Sequence, residues 1–223
     1  MKYEILYQPS FAVAQILLEP GERIRAESGA MVSMSPTVEM ESKVTGGLKG
    51  MLTRALTKES LFQTYFTATG GPGEVVLAPS AIGDIIPLEL QNDSYMVTGG
   101  SYLAGDPDLD MQVRVSGRAF FAGEGLFLMR VSGTGPLLLS SFGAIRAISL
   151  PAGHQYIVDT GHIVAFSESM QYEVRRAARS LIGSFTSGEG LVAHFIGPGV
   201  LYTQSRTPQG FGPWLAQFMP KGS

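Results

Sequence analysis

The chain has no cysteine, so neither a disulfide framework nor a thiolate metal site is available to it. Charge is scarce as well. Asp, Glu, Lys and Arg make up 16% of the 223 residues, against about 25% in an average soluble protein. The net charge is −3 and the pI about 5.6. A protein that grips phosphate backbones usually shows a basic stripe, and this balance argues against one. No apolar run approaches the ~18 residues of a membrane span. The opening Met1-Lys2-Tyr3-Glu4 lacks the basic-then-apolar layout of a secretory signal, so the expected compartment is the cytoplasm. The chain also lacks Gly-x-Ser-x-Gly, a Walker loop and His-Glu-x-x-His, the short signatures that tie residue spacing to chemistry. Nothing in the sequence calls for a cofactor or marks the chain as an enzyme.

Glycine and proline are plentiful, at 28 and 13 residues, and they punctuate short apolar runs as in all-β folds. One word recurs three times. It reads Ile24-Arg25-Ala26-Glu27-Ser28-Gly29-Ala30-Met31-Val32-Ser33, then Tyr95-Met96-Val97-Thr98-Gly99-Gly100-Ser101-Tyr102-Leu103-Ala104. Its third copy is Tyr156-Ile157-Val158-Asp159-Thr160-Gly161-His162-Ile163-Val164-Ala165. Each copy has an apolar residue, a glycine five positions on, then two adjacent apolar residues. A second word keeps the same order: Glu59-Ser60-Leu61-Phe62, Glu124-Gly125-Leu126-Phe127, Glu189-Gly190-Leu191-Val192, spaced by 65 residues both times. Two words in the same order, three times each, argue for triplication of one β unit. The units run over about residues 1–69, 70–133 and 134–204, with a tail over 205–223, and form one domain.

Each unit opens with strands in meander order. In the first these are Tyr3 to Tyr7, Phe11 to Leu18 after a loop, and the word itself after the turn Pro20-Gly21-Glu22. The second unit repeats this from Val75, with a turn expected at Asn92-Asp93, and the third from Leu137. Leu61, Leu126 and Leu191 each start a strand that should be buried and end at glycine turns such as Gly133-Thr134-Gly135. The connectors between the two words differ. Leu48, Met51, Leu52, Ala55 and Leu56 have helical spacing, and Tyr172 to Ile182 also reads as helix. Met111, Val113 and Val115 alternate like a strand. The tail suggests a short helix with Pro213 at its first position, on which Trp214, Leu215 and Phe218 share a face.

Taken together, Gly46-Gly47-Leu48, Glu59-Ser60-Leu61-Phe62, Gly83-Asp84-Ile85, Gly100-Ser101-Tyr102-Leu103-Ala104, Gly123-Glu124-Gly125-Leu126-Phe127, Val158-Asp159-Thr160-Gly161-His162 and Gly197-Pro198-Gly199 resemble the altered-inheritance-of-mitochondria protein twenty-four family. The resemblance covers nearly the whole chain. It implies a fold like that of the tryptophan RNA-binding attenuation protein, with antiparallel β-sandwich units triplicated in one chain. Fungal members are tied to the organisation of the mitochondrial inner membrane. Bacterial and archaeal members have no settled biochemical activity. The attenuation protein makes rings of single units, so the resemblance also implies a pseudo-ninefold ring made by a homotrimer.

The candidate residues divide into two sets. Gly29, Gly100 and Gly161, with Glu59, Glu124 and Glu189, recur and carry a structural signature. Each glutamate is read as accepting backbone N–H bonds from a tight turn, rather than as one of three equivalent ligands. Lys49, Arg54 and Lys58, with Trp214, are candidates for contact with a partner or a membrane surface. His154, His162 and His194 do not recur as a metal set. Asp106, Asp108 and Asp110 alternate, but Met111 stands where a calcium loop needs glycine, so they read as a solvated turn and no metal is expected. RNA binding remains an alternative, weakened because basic residues interleaved with aromatics do not recur in all three units. The expectation is an all-β, non-enzymatic homo-oligomer acting as a scaffold or as a binder of an unknown protein or small ligand. The alternatives are an RNA-binding module and a peripheral membrane organiser.

Overall fold

Alternating apolar and outward-facing residues fold most of the described residues into strands. The computed structural model describes residues 2–44, 62–115, 127–177 and 191–219. The strands are β1 (Lys2–Leu6), β2 (Val13–Leu18), β3 (Arg23–Glu27), β4 (Met31–Met34), β5 (Val38–Val44), β6 (Phe62–Ala68), β7 (Gly73–Leu77), β8 (Ile85–Thr98) and β9 (Tyr102–Gly105). They continue as β10 (Asp110–Val115), β11 (Phe127–Ser140), β12 (Ile145–Leu150), β13 (Gln155–Asp159), β14 (Ile163–Ser167), β15 (Gln171–Arg176), β16 (Leu191–Ile196) and β17 (Gly199–Gln204). Among the described residues one α-helix, α1 (Pro208–Ala216), follows. Among the described residues no helix is long and apolar enough to cross a membrane. The protein is all-β.

Period-two patterning explains the faces. In β2, Ala14, Ile16 and Leu18 are buried while Leu17 points out. β6 is covered on both faces, with Thr64, Phe66 and Ala68 buried on one and Gln63 on the other.

The strands form antiparallel sheets. One has the order β1-β2-β7-β4, and a second β13-β16-β15. The largest runs β12-β17-β14-β8-β11-β9-β3-β6-β5, with β10 on β11. Three pairings share an irregularity. β4 skips Val32 opposite β7, β9 skips Leu103 opposite β11, and β14 skips Val164 opposite β17. Two further pairings join distant stretches of chain. β9 lies on β3, with Ala26 opposite Ala104 and Arg25 opposite Gly105. β14 lies on β8, with Val97 opposite Ala165 and Met96 opposite Phe166.

Among the described residues the buried side chains gather in three clusters. The first holds Ile16, Ile24, Phe66 and Leu77, closed by Leu103 and Ala104 of β9. The second holds Leu90, Val97, Val131 and Leu137, closed by Val164 and Ala165 of β14. The third holds Val158, Phe166, Ala193, Phe195 and Leu201. Rings close-pack in it, Phe166 against Phe195 at 4.9 Å between centroids and against Tyr172 at 4.9 Å.

Several expectations change. Asn92-Asp93 and Gly133-Thr134-Gly135 are not turns. β8 and β11 run through them side by side, and a register shift at Gly133/Thr134 absorbs the irregular residues. Such a bulge bends a pair without ending it, and Asn92 takes φ 61° there. Of the stretch Tyr172 to Ile182 expected as helix, Tyr172 to Arg176 is strand, and residues 178–182 lie outside the described residues. The partner β16 pairs with that strand residue by residue, and Tyr172 and Val174 pack against the third cluster, so tertiary contact overrides helical spacing. The helical stretch expected at Leu48 to Leu56 lies outside the described residues, as do Leu61 and Leu126, while Leu191 is half-buried rather than buried. The tail helix starts earlier than expected. Pro208 occupies its first turn, Thr207 caps it by accepting the Gly210 N–H at 3.0 Å, and Pro213 lies inside it. Met111 and its neighbours form β10 as the alternation indicated.

Candidate functional site

The residues with most chemical potential for contact lie on two sheet ends. In β4, Met31, Val32 and Met34 are 37%, 59% and 39% exposed. The residues that hold the same places after the glycine elsewhere behave differently: Tyr102 is 7% exposed, and Leu103 and Val164 are fully buried. In β13, Ile157 is 57% exposed, whereas Arg25 and Met96, four residues before their glycines as it is, are 7%. The reason is local. β9 and β14 are each flanked on both sides, whereas among the described residues β4 pairs with β7 and β13 with β16 alone. Among the described residues each leaves one row of backbone N–H and C=O groups with no strand against it.

Free edges are usually blunted by charge. The other edge strands obey this: β1 carries Lys2 and Glu4, β5 Glu39 and Glu41, β10 Asp110, β12 Arg146, and β15 Glu173, Arg175 and Arg176. β4 has no charged residue. β13 has only Asp159, and its half-buried carboxylate is engaged locally, accepting the Gly161 N–H at 2.8 Å.

That contact also separates the three recurrent glycines. Gly29 and Gly100 sit between strands with φ +88° and +78°, a conformation glycine adopts without strain. Gly161 lies in the corresponding connection, but inside a short 3₁₀ turn, Thr160–His162, organised by Asp159. The three share a place and not a backbone conformation. A Cβ on Gly161 would meet Asp159 Oδ1 at 3.1 Å and Thr207 Cγ2 at 3.2 Å.

The remaining candidates do not converge. Glu59, Glu124 and Glu189 lie outside the described residues, as do Lys49, Arg54 and Lys58. Trp214 is on α1, half-exposed, between the rings of Phe211 at 5.5 Å and Phe218 at 5.3 Å. Phe211 meets Phe142 edge-on at 5.2 Å. α1 has no charged residue and no buried one, so its aromatic residues form an exposed patch. Asp106 accepts the Asp108 N–H at 2.9 Å and builds a local turn, while Asp110 lies 3.9 Å from Arg130. His162 Nδ1 lies 2.7 Å from the Gln204 carbonyl. Among the described residues no group of three or more metal-ligating side chains gathers.

Sequence patterning did not single out Arg25. It is buried where β9 meets β3, and donates to the Leu109 carbonyl at 2.6 Å. Its own carbonyl accepts the Tyr102 hydroxyl at 3.0 Å. Burial pushes that hydroxyl's pKa up to about 12. Arg25 Nε and Gln63 Oε1 are buried without a partner among the described residues. An arginine inside a strand word reads as solvated; only the covering strand shows otherwise.

Comparison with known proteins gives one consistent result. The family described as mitochondrial biogenesis AIM24 matches residues 3–206. An uncharacterized protein of Streptococcus pyogenes serotype M6 is 33% identical over 233 residues, covering 100% of this chain and 93% of its own. A Streptococcus pyogenes protein solved by X-ray crystallography superposes with a TM-score of 0.82 at 30% identity, over 98% of this chain and 99% of that one.

Proposed function

The chain belongs to the mitochondrial biogenesis AIM24 family, and from that premise we propose that it is a non-enzymatic, self-assembling scaffold that binds a partner or ligand. Three tandem antiparallel sandwich units make one chain, and three chains close into a homotrimer. The observation that carries this reading is a pair of exposed strand edges among the described residues: the uncharged β4 at the end of the four-stranded sheet, and β13, with Asp159 its one charge, at the end of the three-stranded sheet. The skipped residues Val32, Leu103 and Val164 support the triplication. A head-to-tail contact either closes into a ring or grows without end, and closure removes both edges. Light scattering of the native chain tests it. The expected mass is three times 23.8 kDa, stable to moderate dilution. A monomer at micromolar concentration overturns the reading.

One observation favours a second reading, attachment to a membrane surface: the exposed Phe211 and Trp214 of an uncharged helix, with exposed Phe218 just beyond its end. Aromatic and apolar side chains of this kind enter the headgroup boundary. Co-sedimentation with phosphatidylcholine vesicles, reduced by Trp214→Ala, is its expected outcome. Equal recovery in the supernatant with and without vesicles overturns it.

A further inference from the structure

We infer that β13 of one copy pairs antiparallel with β4 of the next, with Ile157 opposite Met34 and Val158 opposite Ser33. This rests on the proposed closed assembly and names its joint. The register comes from the two joints that a single chain already contains. Counting from the recurrent glycine, Arg25 and Met96 hold the place of Ile157, and Gly105 and Phe166 the place of Met34. Arg25 stands opposite Gly105 and Met96 opposite Phe166. One step along, Ala26 stands opposite Ala104 and Val97 opposite Ala165. Two independent joints give the same register, and the third pair of strands has the same words and no partner.

Packing points to the same occupant. The first core cluster is closed by Leu103 and Ala104, and the second by Val164 and Ala165. Among the described residues the third cluster, which holds Val158, has no such pair from a following β4-like strand. Val32 and Ser33 of another copy are the counterparts, and Val32 is 59% exposed in the single chain. A second copy therefore supplies the missing closure, and its β4 edge supplies the backbone partners that β13 lacks. Charge does not oppose the approach. β4 is uncharged, and the Asp159 carboxylate is held back by the Gly161 N–H.

The absence of cysteine makes the test clean. The chain carrying both Met34→Cys and Ile157→Cys is oxidised at the concentration where the native mass is measured. The expected result is a covalent ladder ending at three linked chains. The out-of-register pair Ser33→Cys with Ile157→Cys, whose side chains fall on opposite faces, gives no ladder. Val32→Asp, placed on a side chain that is exposed in the single chain, is expected to fold and to drop the mass to 23.8 kDa. A threefold mass without a Met34/Ile157 link overturns the joint while leaving the assembly standing. A monomeric native chain overturns both.

Discussion

Leu103 and Val32 stand at the same place in the same word, three residues after a glycine. One is fully buried and the other 59% exposed. Both skip a partner in the strand beside them, and both lie in four-residue strands. What separates them is a neighbour: β9 has β3 on its second edge, and among the described residues β4 has none. Burial at these positions is therefore decided by strand adjacency, not by the strand's own sequence. An apolar strand without a neighbour is a surface awaiting one, because nothing else at that edge repels a second chain.

The largest expected effect contrasts those two residues directly. Leu103→Ala empties part of a closed core and should cost roughly 2–5 kcal/mol in urea unfolding. Val32→Ala, placed in a Met34→Asp chain that is expected not to assemble, should cost under about 0.5 kcal/mol, the range of surface changes. Comparable losses at the two sites would dissolve the distinction between closed joint and open end.

A smaller effect separates the two regions by pH. Tyr102 sits in the closed joint, where Met31 holds its place in β4. A tyrosine is neutral below its pKa, and in the unfolded chain that lies near ~10. Burial raises it to about 12 for Tyr102, and to about 12 for Tyr202, where burial leads and Tyr95 adds to it. Tyr3 also rises to about 12, through burial and its bond to Glu89. The unfolded chain then loses protons first. The stabilisation is complete below pH 10 and declines as pH rises from 10 through 12. Chemical unfolding across that window should show the decline in the native chain and a shallower one in Tyr102→Phe. An unchanged slope would place the hydroxyl in water.

The turns that lead into these strands give the smallest effect. Gly100→Ala forces alanine into φ +78° and should cost about 1 kcal/mol. Gly161→Ala carries no such strain and should cost less, its Cβ needing only side-chain adjustment by Asp159 and Thr207. A thermal melt of each variant ranks them, and the reverse order would contradict the 3₁₀ turn.

Much of this was legible in the residues. The recurring words place Gly29, Gly100 and Gly161 between strands, and alternation finds β2, β6 and β10. What the words could not carry is the partner across each strand. Met31 to Met34 and Tyr102 to Gly105 follow the glycine in the same word, and only the sheet order separates the exposed strand from the covered one. The hold of the Asp159 carboxylate on the Gly161 N–H is likewise visible only in the structure. Tyr172 to Ile182 has helical spacing, yet β16 beside Tyr172 to Arg176 makes that part strand. The bulge at Gly133 hides the continuity of β11, because a local turn signal and a bulge use the same glycines.

Amide hydrogen exchange on the native chain and on Met34→Asp tests the account most directly, since it reads both ends and both closed joints at once. The account predicts that Met31–Met34 and Gln155–Asp159 lose protection together in Met34→Asp, while β9 and β14 keep theirs. Identical exchange of β4 and β13 in the two proteins, at a concentration where the native chain is assembled, would contradict it.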